Sequence, residues 1–123
     1  MRAAVAGDLR AKEAATLVRC LETFAGRGSL PAAALVEALP ETGRTHQIRV
    51  HLAWAGTPLL YDPDYGARGS EGPLSAEGGG LLLARTPLHA ARLELLHPVT
   101  GAALVLEAPL PEDLGRVLGA YRR

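Results

Sequence analysis

The stretch ETGRTHQIRVHLAWAG, residues 41–56, gathers two arginines, two histidines, a glutamine and the chain's single tryptophan into a few turns of backbone. Ile48, Leu52 and Ala55 recur within it at helical spacing. Thr45 stands where an N-cap is wanted and Gly56 just past the end, so the pattern predicts a helix over residues 45–55. At about 100° per residue, His46, Arg49, Val50 and Ala53 fall near one face, while Ile48, Leu52 and Ala55 define its neighbour. His46 and Arg49 are therefore side by side at i, i+3. An arginine in this position, beside an apolar stripe, can reach a buried carboxylate and hold it ionised, because the guanidinium pairs with carboxylates in a bidentate way that lysine cannot. The residues leave a second reading open, in which Arg44 and Arg49 are solvated surface charges and His46 is a satisfied polar side chain. A metal is not expected. His46 and His51, five apart, diverge by about 140° on a helix, and His89 and His97 sit in or near strands without carboxylates at ligand spacing.

Upstream, ATLVRCLETF (residues 15–24) alternates as a strand does, with Thr16, Val18, Cys20 and Phe24 on one side. Gly and Pro in AGRGSLP punctuate the chain, and AAALVEALPE follows as a second strand candidate, which makes a hairpin. Cys20 reads as a small buried hydrophobe. Downstream, residues 56–80 are rich in Gly and Pro and read as one long loop, of the length that in compact domains is usually functional or mobile. Asp62 and Asp64 in YDPDYG read there as turn formers. The EGGG run lacks the Lys-Ser/Thr of a phosphate loop. LHAARLELLHP and AALVLEAP predict a second hairpin across HPVTG. PEDLGRVLGAYRR closes the chain with an amphipathic helix on Leu114, Val117, Leu118 and Tyr121. The expectation is one α+β domain over residues 1–123, with a mixed, mainly antiparallel sheet and two helices.

Composition narrows the classes. The 123 residues carry 13 basic and 13 acidic side chains, for a formal net charge of +0, so bulk charge does not announce a nucleic-acid or membrane binder. Of the basic residues only Lys12 is a lysine; this fits either planar recognition of phosphates and carboxylates or the codon bias of a GC-rich genome. One cysteine excludes an internal disulfide and any cysteine-based zinc site, and a reducing cytoplasm fits best. No apolar run approaches a membrane span, and MRAAVAGDLR has no signal-peptide shape.

The stretch ETGRTHQIRVHLAWAGTPLLYDPDYG resembles the motif TGRTHQIRVHLA-x-x-G-x-P-[IL]-x-G-D-x-x-YG of the RluA-type RNA pseudouridine synthases. KEAATLVRCLETF is similar to the family's A-x-T strand, and PLHAARLELLHPVTGAALVLEAPLPEDL to its C-terminal hairpin. The resemblance runs from about Lys12 to Leu114. It implies the C-terminal half of a catalytic domain that isomerises uridine to pseudouridine in ribosomal or transfer RNA, without cofactor or metal. In that chemistry the base is flipped into a pocket, and a catalytic Asp acts on the nucleotide while the base detaches, rotates and rejoins through C5. The resemblance implies that Arg49 pairs with that Asp, that Ile48 lines the uracil pocket, and that Arg44, Thr45, His46 and Gln47 lie at the pocket edge or meet the RNA backbone.

Departures from the pattern shape the functional expectation. The family's nucleophile lies in an H-R-L-D segment, and its pocket Tyr also lies upstream; neither is present, and GDLR at residues 7–10 lacks the pattern. Tyr61 replaces the Gly before the first loop Asp, where positive φ or close backbone approach would favour Gly, and Thr57 replaces a usual His. The expectation is a truncated or split synthase, inactive alone, whose partners are RNA and the missing N-terminal half or a second copy. The alternative is a non-catalytic remnant that binds RNA or a protein partner. Either way, strands deprived of their neighbours are expected to leave open edges and apolar surface.

Overall fold

The structure, a computed structural model, describes residues 2–4, 15–41, 45–66, 74–75 and 80–122. Among them the order is β1 (Arg2–Ala4), β2 (Ala15–Phe24), β3 (Ala33–Pro40), α1 (Gln47–Trp54), β4 (Leu74–Ser75), β5 (Leu81–Leu83), β6 (Arg92–Leu96), β7 (Ala103–Glu107) and α2 (Glu112–Arg122). The class is α+β, with antiparallel pairing throughout: a three-stranded sheet in the order β1-β2-β3 and the two-stranded pairs β4-β5 and β6-β7. The loop expected over residues 56–80 is interrupted by β4, whose Leu74 pairs with Leu83. Strands this short carry no periodicity, which is why composition alone reads the segment as loop.

The β2–β3 hairpin forms because polar and apolar residues alternate along much of β2, β3 is apolar at every position but Glu37, and Gly28, at φ 58°, supplies the left-handed residue of the Arg27–Leu30 turn. Its register slips between Cys20 and Glu22, so Leu21 has no opposite number. That bulge breaks the alternation. Thr16 and Val18 face inward as the sequence suggests, but Cys20 is exposed, contrary to the buried position expected of it.

Two interiors result. The larger gathers Leu30, Leu74, Leu83, Leu114, Val117 and Tyr121, with Phe24 and Tyr61 packed against it. α2 brings Leu114, Val117 and Tyr121 to it at i, i+3 and i+7, and its C-terminal turn is fastened to the hairpin. Tyr121 donates its hydroxyl to Pro31 O at 2.7 Å, its ring lies 5.2 Å from that of Phe24, and Arg122 pairs with Glu22 at 2.7 Å. At the other end of the helix Arg85 grips Asp113 with two hydrogen bonds of 2.7 and 3.0 Å. The smaller interior is the seam between α1 and β2, and it is polar.

Candidate functional site

α1 begins without a side-chain cap. Thr45 does not fill that role; the N-cap residue is His46, at φ 51° and ψ 30°. A non-glycine residue in the left-handed region costs on the order of 1 kcal/mol, and here it is held by tertiary contact. His46 Nδ1 is 3.1 Å from the Tyr65 hydroxyl, and the two rings meet edge-on. The far end of α1 closes as a Schellman turn. Gly56, at φ 83°, donates to Ala53 O, and Thr57 donates its amide to Leu52 O at 2.9 Å. The Thr57 hydroxyl also reaches Leu52 O at 3.3 Å, so the residue that departs from the family pattern seals the helix terminus.

The helix docks on the sheet through a polar edge. Gln47 donates to Ala15 O at 2.8 Å and to Thr16 Oγ1 at 3.0 Å, and Thr16 Oγ1 lies 2.6 Å from His51 Nδ1. With the Gln47 amide donating to Thr16, the Thr16 hydroxyl has its proton free for His51 Nδ1, which leaves the proton of a neutral imidazole on Nε2. His51 is 0% exposed, and its Nε2 has no hydrogen-bond partner among the described residues. Gln47, which the family resemblance sets at the pocket edge, is thus turned into the interior and ties α1 to β2.

Arg49 lies on the opposite edge, and its partners are in this chain. Its Nε donates to Asp62 Oδ2 at 3.0 Å and its Nη2 to Asp62 Oδ1 at 2.5 Å, while Nη2 also reaches Asp64 Oδ2 at 2.8 Å. Its guanidinium carbon stands 5.0 Å from the centre of the Tyr65 ring, within cation–π range. Both residues of the i, i+3 pair, His46 and Arg49, therefore converge on Tyr65. Nη1 carries no hydrogen bond to a described residue and is the one end of the fork left over. Asp62 is 0% exposed, whereas the Asp64 side chain is 61% exposed.

Asp62 is also the turn former the sequence predicts, since its Oδ1 accepts the amides of Asp64 and Tyr65, each at 3.1 Å. The one carboxylate shapes the DPDYG turn and clamps the arginine. The Arg49 hydrogen bonds hold its carboxyl down at about 2 against an ordinary 3.8, with help from the two amides and against the opposing effect of burial. The same contacts raise the Arg49 guanidinium further above its ordinary value. Sequence reasoning anticipated an arginine holding a buried carboxylate ionised, but not that Asp62 would be that carboxylate. The signal available was a pair of acids in a turn thirteen residues beyond Arg49.

Ile48 is half-buried beside Arg49, and Thr45 and His46 are exposed at the helix entrance. Arg44 lies outside the described residues. Tyr61 needs no left-handed backbone, because His46 is the only non-glycine residue with positive φ among the described residues, and its side chain packs on the larger core. The loop accommodates the change from Gly by using the added ring as packing.

Fold and site together define a portion of an α+β domain in which a helix and the turn after it present a clamped arginine. Sequence comparison gives that portion a family. The chain is 47% identical over 111 residues to ribosomal large subunit pseudouridine synthase D of Nitrosomonas europaea, a match covering 90% of this chain and 30% of that protein. It is 42% identical over 116 residues to synthase D of Xanthomonas campestris, covering 90% of this chain and 33% of the relative. Against synthase C of Escherichia coli K12 it is 48% identical over 90 residues, 73% of this chain and 28% of the relative. Over the stretch it spans, the chain belongs to the RluA-type pseudouridine synthases. It spans about a third of the length of these curated relatives. No protein-family model matches the chain. No helix among the described residues is long and apolar enough to cross a membrane.

Proposed function

We propose that this chain supplies the arginine side of an RNA pseudouridine synthase active site, acting on uridine in RNA together with the rest of a synthase domain. The observation that carries this reading is the Arg49 guanidinium, fixed by Asp62 on one side and Tyr65 on its face, within the stretch that matches synthases C and D. In the proposed site the unoccupied Nη1 edge of Arg49 meets the catalytic carboxylate brought by the rest of the domain. Ile48 borders the uracil, and Arg44, Thr45 and His46 face the RNA backbone. Gln47 acts from behind, by seating α1 on β2. Charge-assisted pairing keeps the incoming carboxylate ionised and oriented.

The test is tritium release from RNA labelled at uridine C5, assayed with the chain alone and with the chain joined to the remainder of a relative's synthase domain. Turnover by the joined protein, lowered by several powers of ten in the Arg49→Ala variant, is the expected result. No turnover in any combination removes the enzymatic reading. One observation favours a second reading, that of a non-catalytic RNA- or protein-binding remnant: Arg49 is already matched by two carboxylates. That reading predicts RNA binding without tritium release by the joined protein.

A further inference from the structure

Resting on the synthase reading, we propose that the leucine face of the β6–β7 ribbon is the docking surface for the remainder of a synthase domain, the larger part of the relatives' length that lies outside the shared stretch. In the ribbon Leu93 stands opposite Leu106 and Leu95 opposite Leu104. Directly opposed residues of an antiparallel pair share a face, and alternate residues along a strand share it too. One face is therefore Leu93, Leu95, Leu104 and Leu106. The other carries Arg92, Glu94 and Glu107, joined by ion pairs of 2.7 Å from Arg92 to Glu94 and 4.0 Å from Arg92 to Glu107, together with Leu96, Ala103 and Val105.

The leucine face is apolar at all four positions, whereas the other mixes ion-paired charges with apolar side chains. Leu93 is 58%, Leu95 36% and Leu106 53% exposed, and no residue of either strand belongs to the core built on Leu83 and Val117. A two-stranded ribbon is marginal in water without something packed on its apolar side. The occupant follows from the comparisons. A match covering 90% of a 123-residue chain necessarily includes residues 92–107, so the relatives carry this ribbon within proteins about three times as long. A ribbon with one wholly apolar face and one mixed face that carries its ion pairs fits a place at the margin of a larger core, with the charges outward.

The experiment places a thiol on each face, in a Cys20→Ser background because Cys20 is the one native cysteine and is exposed. Leu93→Cys reports the leucine face and Glu94→Cys the charged one. Labelling by a maleimide is timed in the isolated chain and in a chimera where this chain replaces the matched 111 residues of the Nitrosomonas synthase D. The expected result is labelling of the Leu93→Cys variant slowed by about tenfold or more in the chimera, with Glu94→Cys unchanged. Equal rates for Leu93→Cys overturn the proposal. So does protection in the isolated chain that grows with its concentration, which would assign the face to a second copy. Where the chimera lacks a cooperative melt, the tagged chain is co-expressed with the rest of the relative. Capture abolished by Leu93→Asp with Leu106→Asp supports the proposal, and absent or undiminished capture overturns it. Protection without tritium release removes the synthase reading alone, and tritium release without protection removes the docking surface alone.

Discussion

Replacing Asp62 with Asn tests the clamp directly, because the amide keeps an oxygen for the Asp64 and Tyr65 backbone amides while the charge facing Arg49 disappears. The Asp62 carboxyl sits at about 2 in the folded chain against an ordinary 3.8. At about 1.4 kcal/mol per unit that gap contributes roughly 2 kcal/mol. The figure of about 3–5 kcal/mol for removing one partner of a buried pair is too large here, since Arg49 retains Asp64 at 2.8 Å and Asn still accepts hydrogen bonds. Because the folded value is depressed, the contribution is complete above the unfolded value of 3.8 and is lost as pH falls toward 2. Urea unfolding followed by circular dichroism should therefore place Asp62→Asn roughly 2 kcal/mol below the parent at pH 7 and about half that at pH 3. A deficit equally large at both pH values would show that shape, not charge, holds the turn. A deficit under about 0.5 kcal/mol at pH 7 would remove the clamp as a source of stability.

Gly56→Ala should lower stability by roughly 1 kcal/mol in the same unfolding assay, since Gly56 holds φ 83° with no atom near an added Cβ, so the cost is conformational alone. Thr16→Val should cost about 1–3 kcal/mol, because it removes the oxygen shared by Gln47 and His51 inside a seam that water does not reach. Asp64→Asn, at an exposed member of the cluster, should change thermal stability by less than about 0.5 kcal/mol and so separate the two acids of DPDYG.

The elements legible in the sequence are those long enough to display a period. β2 and β3, the β6–β7 hairpin and both helices stand where alternation, 3.6-residue spacing, Gly and Pro place them. β1, β4 and β5 escape such reading. Two or three residues cannot alternate convincingly, and Leu81–Leu83 is apolar at every position. The errors at Thr45 and Cys20 have tertiary causes. A contact with Tyr65 holds His46 in a conformation that displaces the cap, and Cys20, although it keeps the register of Thr16 and Val18, lies where that face of the hairpin is left uncovered. In the site, Arg49 was legible because an arginine amid an apolar helical pattern asks for an anion. Asp62 was not, because Asp-Pro explains itself locally as a turn and nothing in one dimension shows that its second oxygen faces back toward the helix.

The charge of the clamp bears on how the proposed site would work. Arg49 brings one positive charge, and Asp62 and Asp64 bring two negative ones, so the cluster is already anionic before any catalytic carboxylate arrives. Adding a third carboxylate at Nη1 would place like charges close together, which disfavours keeping all three against one guanidinium. Asp62 cannot yield, being buried and held by three donors besides Arg49 Nε. Asp64 can, because its side chain is largely in solvent and touches the guanidinium through Nη2 alone. Assembly of the full site would then exchange the Asp64 contact for the incoming carboxylate while Asp62 keeps the plane of the guanidinium fixed. On this argument Asp64→Asn should leave the joined protein's tritium release intact or raise it, whereas Asp62→Asn should lower it. Equal loss from both substitutions would mean that Asp64 is a permanent member of the site and that Arg49 pairs with no further carboxylate.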